Sequence, residues 1–191
     1  VGLGGRLDAT NLCRPRVSVI TTISRDHTRL LGSDLAEIAG EKAGIIKPGV
    51  PVVCGVSQPR ALGAIESVAA DCQSTVWRLG REISFDHDPR RHVVRVSTPA
   101  GSWPEISVPL PGRHQAANAA LAAAAIDVGD DERSPVPREP ACAAIAGLAW
   151  PVRIETIGHH PTVIVDAAHN WASIRALLET LDSCHPASGW R

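Results

Sequence analysis

The run Val17-Ser18-Val19-Ile20-Thr21-Thr22-Ile23 (VSVITTI) is dense in β-branched residues and has no polar face. A run of this kind forms a strand covered on both sides, as in a parallel sheet. Arg25-Asp26-His27-Thr28 follows directly, which sets a charged group and an imidazole beyond the carboxyl end of the strand. In open α/β sheets that end is where ligands bind. The next signals are helical. Asp34 and Glu37 have the spacing of a capping box, Leu35, Ile38 and Ala39 form an apolar face, and Gly44 stops the helix after Ala43. Val50 to Cys54 then reads as a second strand, and Pro59 opens a second helix that runs to about Cys72. Strand–helix–strand–helix order implies right-handed parallel crossovers and the α/β class.

The pattern changes further along. Val93 to Val96 and Ile106 to Val108 flank Thr98-Pro99-Ala100-Gly101-Ser102, and a β-hairpin is the simplest reading. His114 to Ile126 is alanine-rich and helical by propensity. Asp130 to Pro140 carries three prolines among polar residues and reads as a surface loop, with a helix over Ala141 to Leu148 after it. Thr162 to Val165 is expected as another buried strand, followed by a helix from Ala172 to Leu181. A domain boundary is expected near Ala149 to Arg153, dividing the chain into residues 1–149 and 150–191.

Composition narrows the function classes. In 191 residues, 44% are hydrophobic and 20% charged, as in an ordinary globular protein. A net charge of -1 without a Lys/Arg cluster argues against a nucleic-acid surface. Five Trp, one Phe and no Tyr leave little for base stacking. No apolar run has the length of a membrane span, and no signal peptide opens the chain. The five cysteines have no C-x-x-C spacing, as expected of buried thiols in a reducing, cytoplasmic setting.

Four clusters carry possible chemistry, each with a plain alternative. Gly2-Leu3-Gly4-Gly5-Arg6-Leu7-Asp8-Ala9-Thr10-Asn11 combines glycines that admit a ligand with polar side chains, although such a turn is usually only a turn. His27 after its strand suits a metal, whereas an isolated surface histidine is commoner. Lys42 in Glu41-Lys42-Ala43-Gly44 also suits the helix dipole. Asp166 with His169-Asn170 again follows a strand, where a helix cap would serve as explanation nearly as well.

The order of these clusters is more specific than any one of them. VGLGGRLDATN, TTISRDHTRLLG and LAEIAGEKAGIIKPGVPVV, followed by PLPGRHQAANAALA, WPVRIE and VIVDAAHN, resemble the folylpolyglutamate synthase and dihydrofolate synthase family of the Mur ligase superfamily. The resemblance implies a piece of a Mur-ligase-type central ATPase domain, mostly parallel sheet with helices plus a small hairpin region, and then the start of a Rossmann-like C-terminal domain. It implies a ligase that transfers the ATP γ-phosphate to a pteroate or folate carboxylate, forming an acyl phosphate that the amine of glutamate attacks. ATP, glutamate and dihydropteroate or folate are the implied small molecules, with Mg²⁺ as cofactor, no nucleic acid or membrane partner, and a monomeric state. By position, His27 is implied as a magnesium ligand and Lys42 as a carbamylated lysine. Leu7, Asp8 and Ala9 would meet the pterin. Asn118, Arg153 and Asp166 would meet ATP, and His169 would lie near the γ-phosphate.

Several positions depart from the family pattern. Ser24-Arg25 stands before Asp26-His27 where Gly-Leu or Ala-Leu is usual, and Val152 stands where a glycine is usual. No G-x-x-x-x-G-K-[ST] phosphate loop occurs in the sequence, and the magnesium-binding glutamate usual just before the glycine-rich block would precede Val1. The chain is therefore expected to be a piece of a longer ligase that is inactive by itself. A Mur-type ligase of cell-wall synthesis and a non-catalytic remnant are the competing readings. The Arg6–Asn11 block argues against the cell-wall ligase.

Overall fold

The computed structural model describes residues 4–25, 34–130 and 135–184. A three-stranded parallel sheet carries the first half. β1 (Ser18–Ile20) pairs with β2 (Val52–Cys54), and β2 pairs on its other edge with β3 (Val76–Arg78). The side chains of the central strand alternate between two cores, as the period of two in a strand requires. Val52 and Cys54 face a core with Ile20, Ile38, Ile46 and Ile65, which α1 (Leu35–Ala43) and α2 (Pro59–Asp71) cover. Val53 faces the opposite core, where α3 (Arg113–Gly129) packs. Covering on both faces explains why VVC carries no polar residue.

Behind α3 lies a second sheet. β4 (Ser84–Asp88) and β5 (Val93–Thr98) form an antiparallel hairpin, and β5 also pairs with β6 (Gly101–Ser102) and β7 (Ile106–Ser107). Val94, Val96 and Thr98 point into the core while Arg95 and Ser97 point to water. The pairing of β5 with β7 matches the expected hairpin, but the region is a larger, four-stranded antiparallel sheet. The signal for β4 (SFDHD) is hidden by its charged alternate residues.

α4 (Arg138–Ala146) begins earlier than expected. Pro140 falls in its first turn, where a missing N–H costs nothing. Arg138 donates to Asp127 at 3.0 Å, and Asp127 also accepts from Thr98 and from the Trp103 indole at 2.8 Å. This network ties α4 to the end of α3 and to the second sheet. After it, β8 (Glu155–His159) pairs antiparallel with β9 (Thr162–Val165), and α5 (Trp171–Cys184) follows. β9 was expected to be buried. Instead Thr162 and Val163 are exposed and Ile164 and Val165 half-buried, because the only strand beside β9 among the described residues is β8. No helix of the described residues is long and apolar enough to cross a membrane. All five cysteines are free, but only Cys54 is buried as expected; Cys72 and Cys142 are half-buried, and Cys13 and Cys184 are exposed because they stand at the ends of surface elements.

Candidate active site

The first corner of the site is built from backbone. The loop from Gly4 turns at Asp8, whose carboxylate accepts from Thr10 N at 2.9 Å and caps a short 3-10 turn over Ala9–Leu12. This loop lies flat on the end of α1. A Cβ at Gly5 would stand 2.7 Å from the Glu41 carbonyl oxygen and 2.8 Å from that of Lys42. Reciprocally, a Cβ at Gly44 would stand 2.5 Å from the Cβ of Arg6. Gly44 has φ −59°, so close approach rather than backbone conformation demands glycine there. Arg6 N donates to the Glu41 carbonyl at 3.1 Å, and the Asn11 amide donates to both Arg6 O and Gly44 O at 3.0 Å. Lys47 Nζ adds a 2.7 Å bond to Asn11 O. Asn11 is thus a strut of the corner, a role the sequence did not disclose.

Lys42 sits at this junction, half-buried, and with Gly4, Thr21 and Thr22 it lines a cavity of about 210 Å³ beyond the carboxyl end of β1. Its amine has no ion-pair or hydrogen-bond partner among the described residues. Leu7 is 81% exposed, beside the half-buried Asp8, whose carboxylate turns back onto Thr10. His27 lies outside the described residues.

The second corner is built from side chains. Asn118 and Arg153 line one cavity of about 260 Å³ together with His114, Gln115 and Trp150. His114 and Asn118 are four residues apart and therefore share a face of α3; Gln115 accepts from Asn118 Nδ2 at 3.1 Å. The sequence contains His114, Gln115 and Trp150 within its motifs, and the spacing 114-115-118 was the signal that could have marked them. Burial pushes the His114 imidazole below its ordinary pKa, with the Arg153 charge adding to the shift and Asp166 opposing it. Asp166 therefore belongs to the same neighbourhood. Its two oxygens accept from Ile154 N at 2.9 Å and Ala168 N at 2.7 Å, holding the turn that carries Arg153 against the end of β9. In that turn Val152 and Ile154 have left-handed backbones, φ 59° and 51°. Position 152 is the one expected to hold glycine.

The helix cap considered for Asp166 falls to Asn170, whose Oδ1 accepts from Ser173 N at 2.9 Å at the start of α5. His169 is exposed, lines neither cavity, and donates from Nδ1 to the Ala167 carbonyl at 3.0 Å. Among the described residues no three His, Cys, Asp or Glu side chains converge to hold a metal ion.

Comparison with known proteins places this geometry. Residues 2–126 match the Mur ligase middle domain. The chain is 37% identical over 184 residues to the dihydrofolate synthase/folylpolyglutamate synthase of Bacillus subtilis, covering 94% of this chain and 43% of that protein. It is 39% identical over 196 residues to the protein of the same description from Mycobacterium tuberculosis, covering 95% of this chain and 39% of that one. A solved folylpolyglutamate synthase complex with AMPPCP and folate superposes with a TM-score of 0.91 at 32% identity, over 98% of this chain and 47% of that one. The chain thus spans about two fifths of the length of the curated relatives it matches. It belongs to the Mur ligase family through that family's middle domain, and its relatives there are folylpolyglutamate and dihydrofolate synthases.

Proposed function

We propose that this chain is the central part of an ATP-dependent ligase that joins glutamate to the carboxylate of dihydropteroate or folate. The observation that carries the reading is the docking of the Gly4–Asn11 loop on the end of the helix at Lys42, which couples the exposed Leu7 and the half-buried Asp8 to a half-buried amine. In the reaction the substrate carboxylate takes the γ-phosphoryl group of ATP and releases ADP. The glutamate amine then attacks the acyl carbon; the N–C bond forms, the C–O bond breaks with its electron pair on the departing phosphate, and the amine gives up a proton. The solved relatives with AMPPCP and folate, and with DHPP and ADP, support these substrate classes.

The residue roles follow the chemistry of each corner. The Asp8 carboxylate can accept from the amino edge of a pterin, with Leu7 and Ala9 against its ring. Lys42 would act as a carbamate: its neutral amine adds CO₂ and loses a proton, giving an anion at the cavity. Asn118, Arg153 and Asp166 would hold the nucleotide, and His169 would stand near the γ-phosphate. Mg²⁺ would neutralise phosphate charge, with His27 as its imidazole ligand; the described residues alone supply no donor set for it. Residues 1–149 would belong to the central domain and 150–191 would begin the glutamate-ligase domain, in a cytoplasmic monomer.

Lys42→Ala in the complete ligase tests the reading. Turnover is expected to fall about a hundredfold or more, with partial rescue by a short carboxylic acid. Turnover equal to that of the unaltered ligase would refute it. The 191-residue chain alone is expected to incorporate no labelled glutamate.

A further inference from the structure

A third cavity, of about 350 Å³, lies between the β4–β5 hairpin, the first turn of α3 and the last turns of α5. None of Asp8, Lys42, Asn118, Arg153 or Asp166 lines it. One side is lined by His87 on β4, His92 just before β5, and Arg113 and His114 on α3, and α5 faces them with Glu179 and Thr180. The nearby carboxylates are already engaged. Glu179 accepts from Arg175 at 2.8 Å, Asp86 from Arg95 at 3.1 Å, and Asp88 from the backbone N–H groups of Arg90 and Arg91 at 3.0 and 3.1 Å. Arg113, by contrast, lies over the Phe85 ring at 4.9 Å and has no carboxylate partner among the described residues.

Two backbone features keep this space open. Gly112 forms its floor with φ 103°, and a Cβ there would meet Thr180 Oγ1 at 2.5 Å and the His114 ring at 2.7 Å. His92 holds a left-handed backbone, φ 52°, a conformation that costs an L-residue on the order of 1 kcal/mol. An unpaired guanidinium with three imidazoles around one cavity is a donor set for an anion.

We propose that this cavity binds a compact oxyanion, a phosphate or a carboxylate group, held by Arg113 with the imidazoles of His92 and His114. The two sources sharing this chemistry are free inorganic phosphate and the side carboxylate of a glutamate chain. The cavity uses none of Asp8, Lys42, Asn118, Arg153 or Asp166, although His114 also borders the cavity of Asn118 and Arg153; only the glutamate chain as a source rests on the ligase reading. Burial holds the His87 imidazole below its ordinary pKa, with Arg113 and His92 adding to the shift and Asp88 and Asp86 opposing it; His114 is lowered by burial and by Arg153 and raised by Asp166. Both rings are thus mostly neutral at neutral pH. A bound anion favours their protonated forms, so binding strengthens as the pH falls, while Glu179 remains paired with Arg175.

The test is titration of the complete ligase near pH 6 with inorganic phosphate and, separately, with tri-γ-glutamate, following the imidazole resonances by NMR. The expected result is a saturable shift of the His92 and His114 signals with at least one of the two. Saturation by phosphate alone assigns the free ion, and saturation by the peptide alone assigns a glutamate chain. Arg113→Gln is expected to weaken binding about fivefold or more. His92→Asn, which keeps a residue tolerant of the left-handed backbone, is expected to weaken it as well. Arg90→Gln, in the same turn but outside the cavity, should leave it unchanged. Three results would overturn the proposal: no saturable shift with either probe, wild-type binding by Arg113→Gln, or displacement of the anion by AMPPCP, which would locate it in the nucleotide cavity.

Discussion

The corner at Lys42 and the corner at Arg153 are assembled by opposite means. At the first, two glycines bring main chain onto main chain, and each carbonyl there is approached closely enough that one added carbon would collide. At the second, the chain passes through two left-handed non-glycine residues and is held in place by the oxygens of Asp166. Shape fixes the one and hydrogen bonding the other. The first should fail when atoms are added, and the second when a carboxylate is removed.

The largest effect on that contrast is expected from Gly5→Ala. Its Cβ would press on carbonyl oxygens that cannot rotate away, so a loss of about 1–3 kcal/mol is expected in thermal or urea unfolding, with a lower Lys42-dependent turnover in the complete ligase. Gly40→Ala, within α1 itself and with nothing within 4 Å of the new carbon, should instead stabilise by roughly 0.5–1 kcal/mol. If both glycine variants destabilise alike, close packing is not what the Lys42 corner depends on. Asp166→Ala comes next. It leaves two N–H groups without their acceptor, at a cost of about 1–3 kcal/mol at most for partly buried groups. It should also weaken AMPPCP binding, measured by calorimetry on the complete ligase. Unchanged nucleotide affinity would separate the turn from the nucleotide site. The smallest effect is expected from Val152→Gly. Relief of a left-handed β-branched residue is worth roughly 1–2 kcal/mol and is partly offset by the entropy of glycine. A net gain below about 1 kcal/mol in unfolding free energy is expected, seen as a small rise in melting temperature. A loss would mean that the valine side chain contributes packing that its 41% exposure does not suggest.

The parallel half of the molecule was legible because burial on both faces leaves a plain signature. VSVITTI and VPVVC are apolar on alternate and adjacent positions alike, and the capping residue Asp34 and helix-opening Pro59 stand where the helices begin. Resemblance added the positions of Asn118, Arg153 and Asp166, and the structure gathers the first two around one cavity. Other features had no local signature. β3 and β8 are short, and Gly158 within β8 reads as a turn residue. The tie between Asn11 and Gly44 spans 33 residues, and no local rule encodes it. The reason for glycine at position 44 was misassigned for the same cause: a helix stop explains it locally, whereas the neighbouring Arg6 explains it in space. The oxyanion cavity brings residues 87–114 against residues 176–184, a juxtaposition no single stretch announces.

α3 contributes Asn118 and His114 from its first turns, and its inward face is Ala116, Ala119, Ala120, Ala123 and Ala124. Alanine has no rotamer to freeze, so the helix is ordered between two sheets at almost no side-chain entropy. It has little spare volume either, because all five alanines are buried in the core that the helix shares with strands of both sheets. In a saturation-mutagenesis map this would appear as a stripe of intolerance at three- and four-residue spacing, in which even serine and valine are depleted. The solvent side of the same helix would accept nearly anything except at positions 113, 114, 115 and 118, which line the two cavities. A change in the shape of the cavity shared by His114, Asn118, Trp150 and Arg153 would have to come from those side chains, since the helix beneath them is held from both sides.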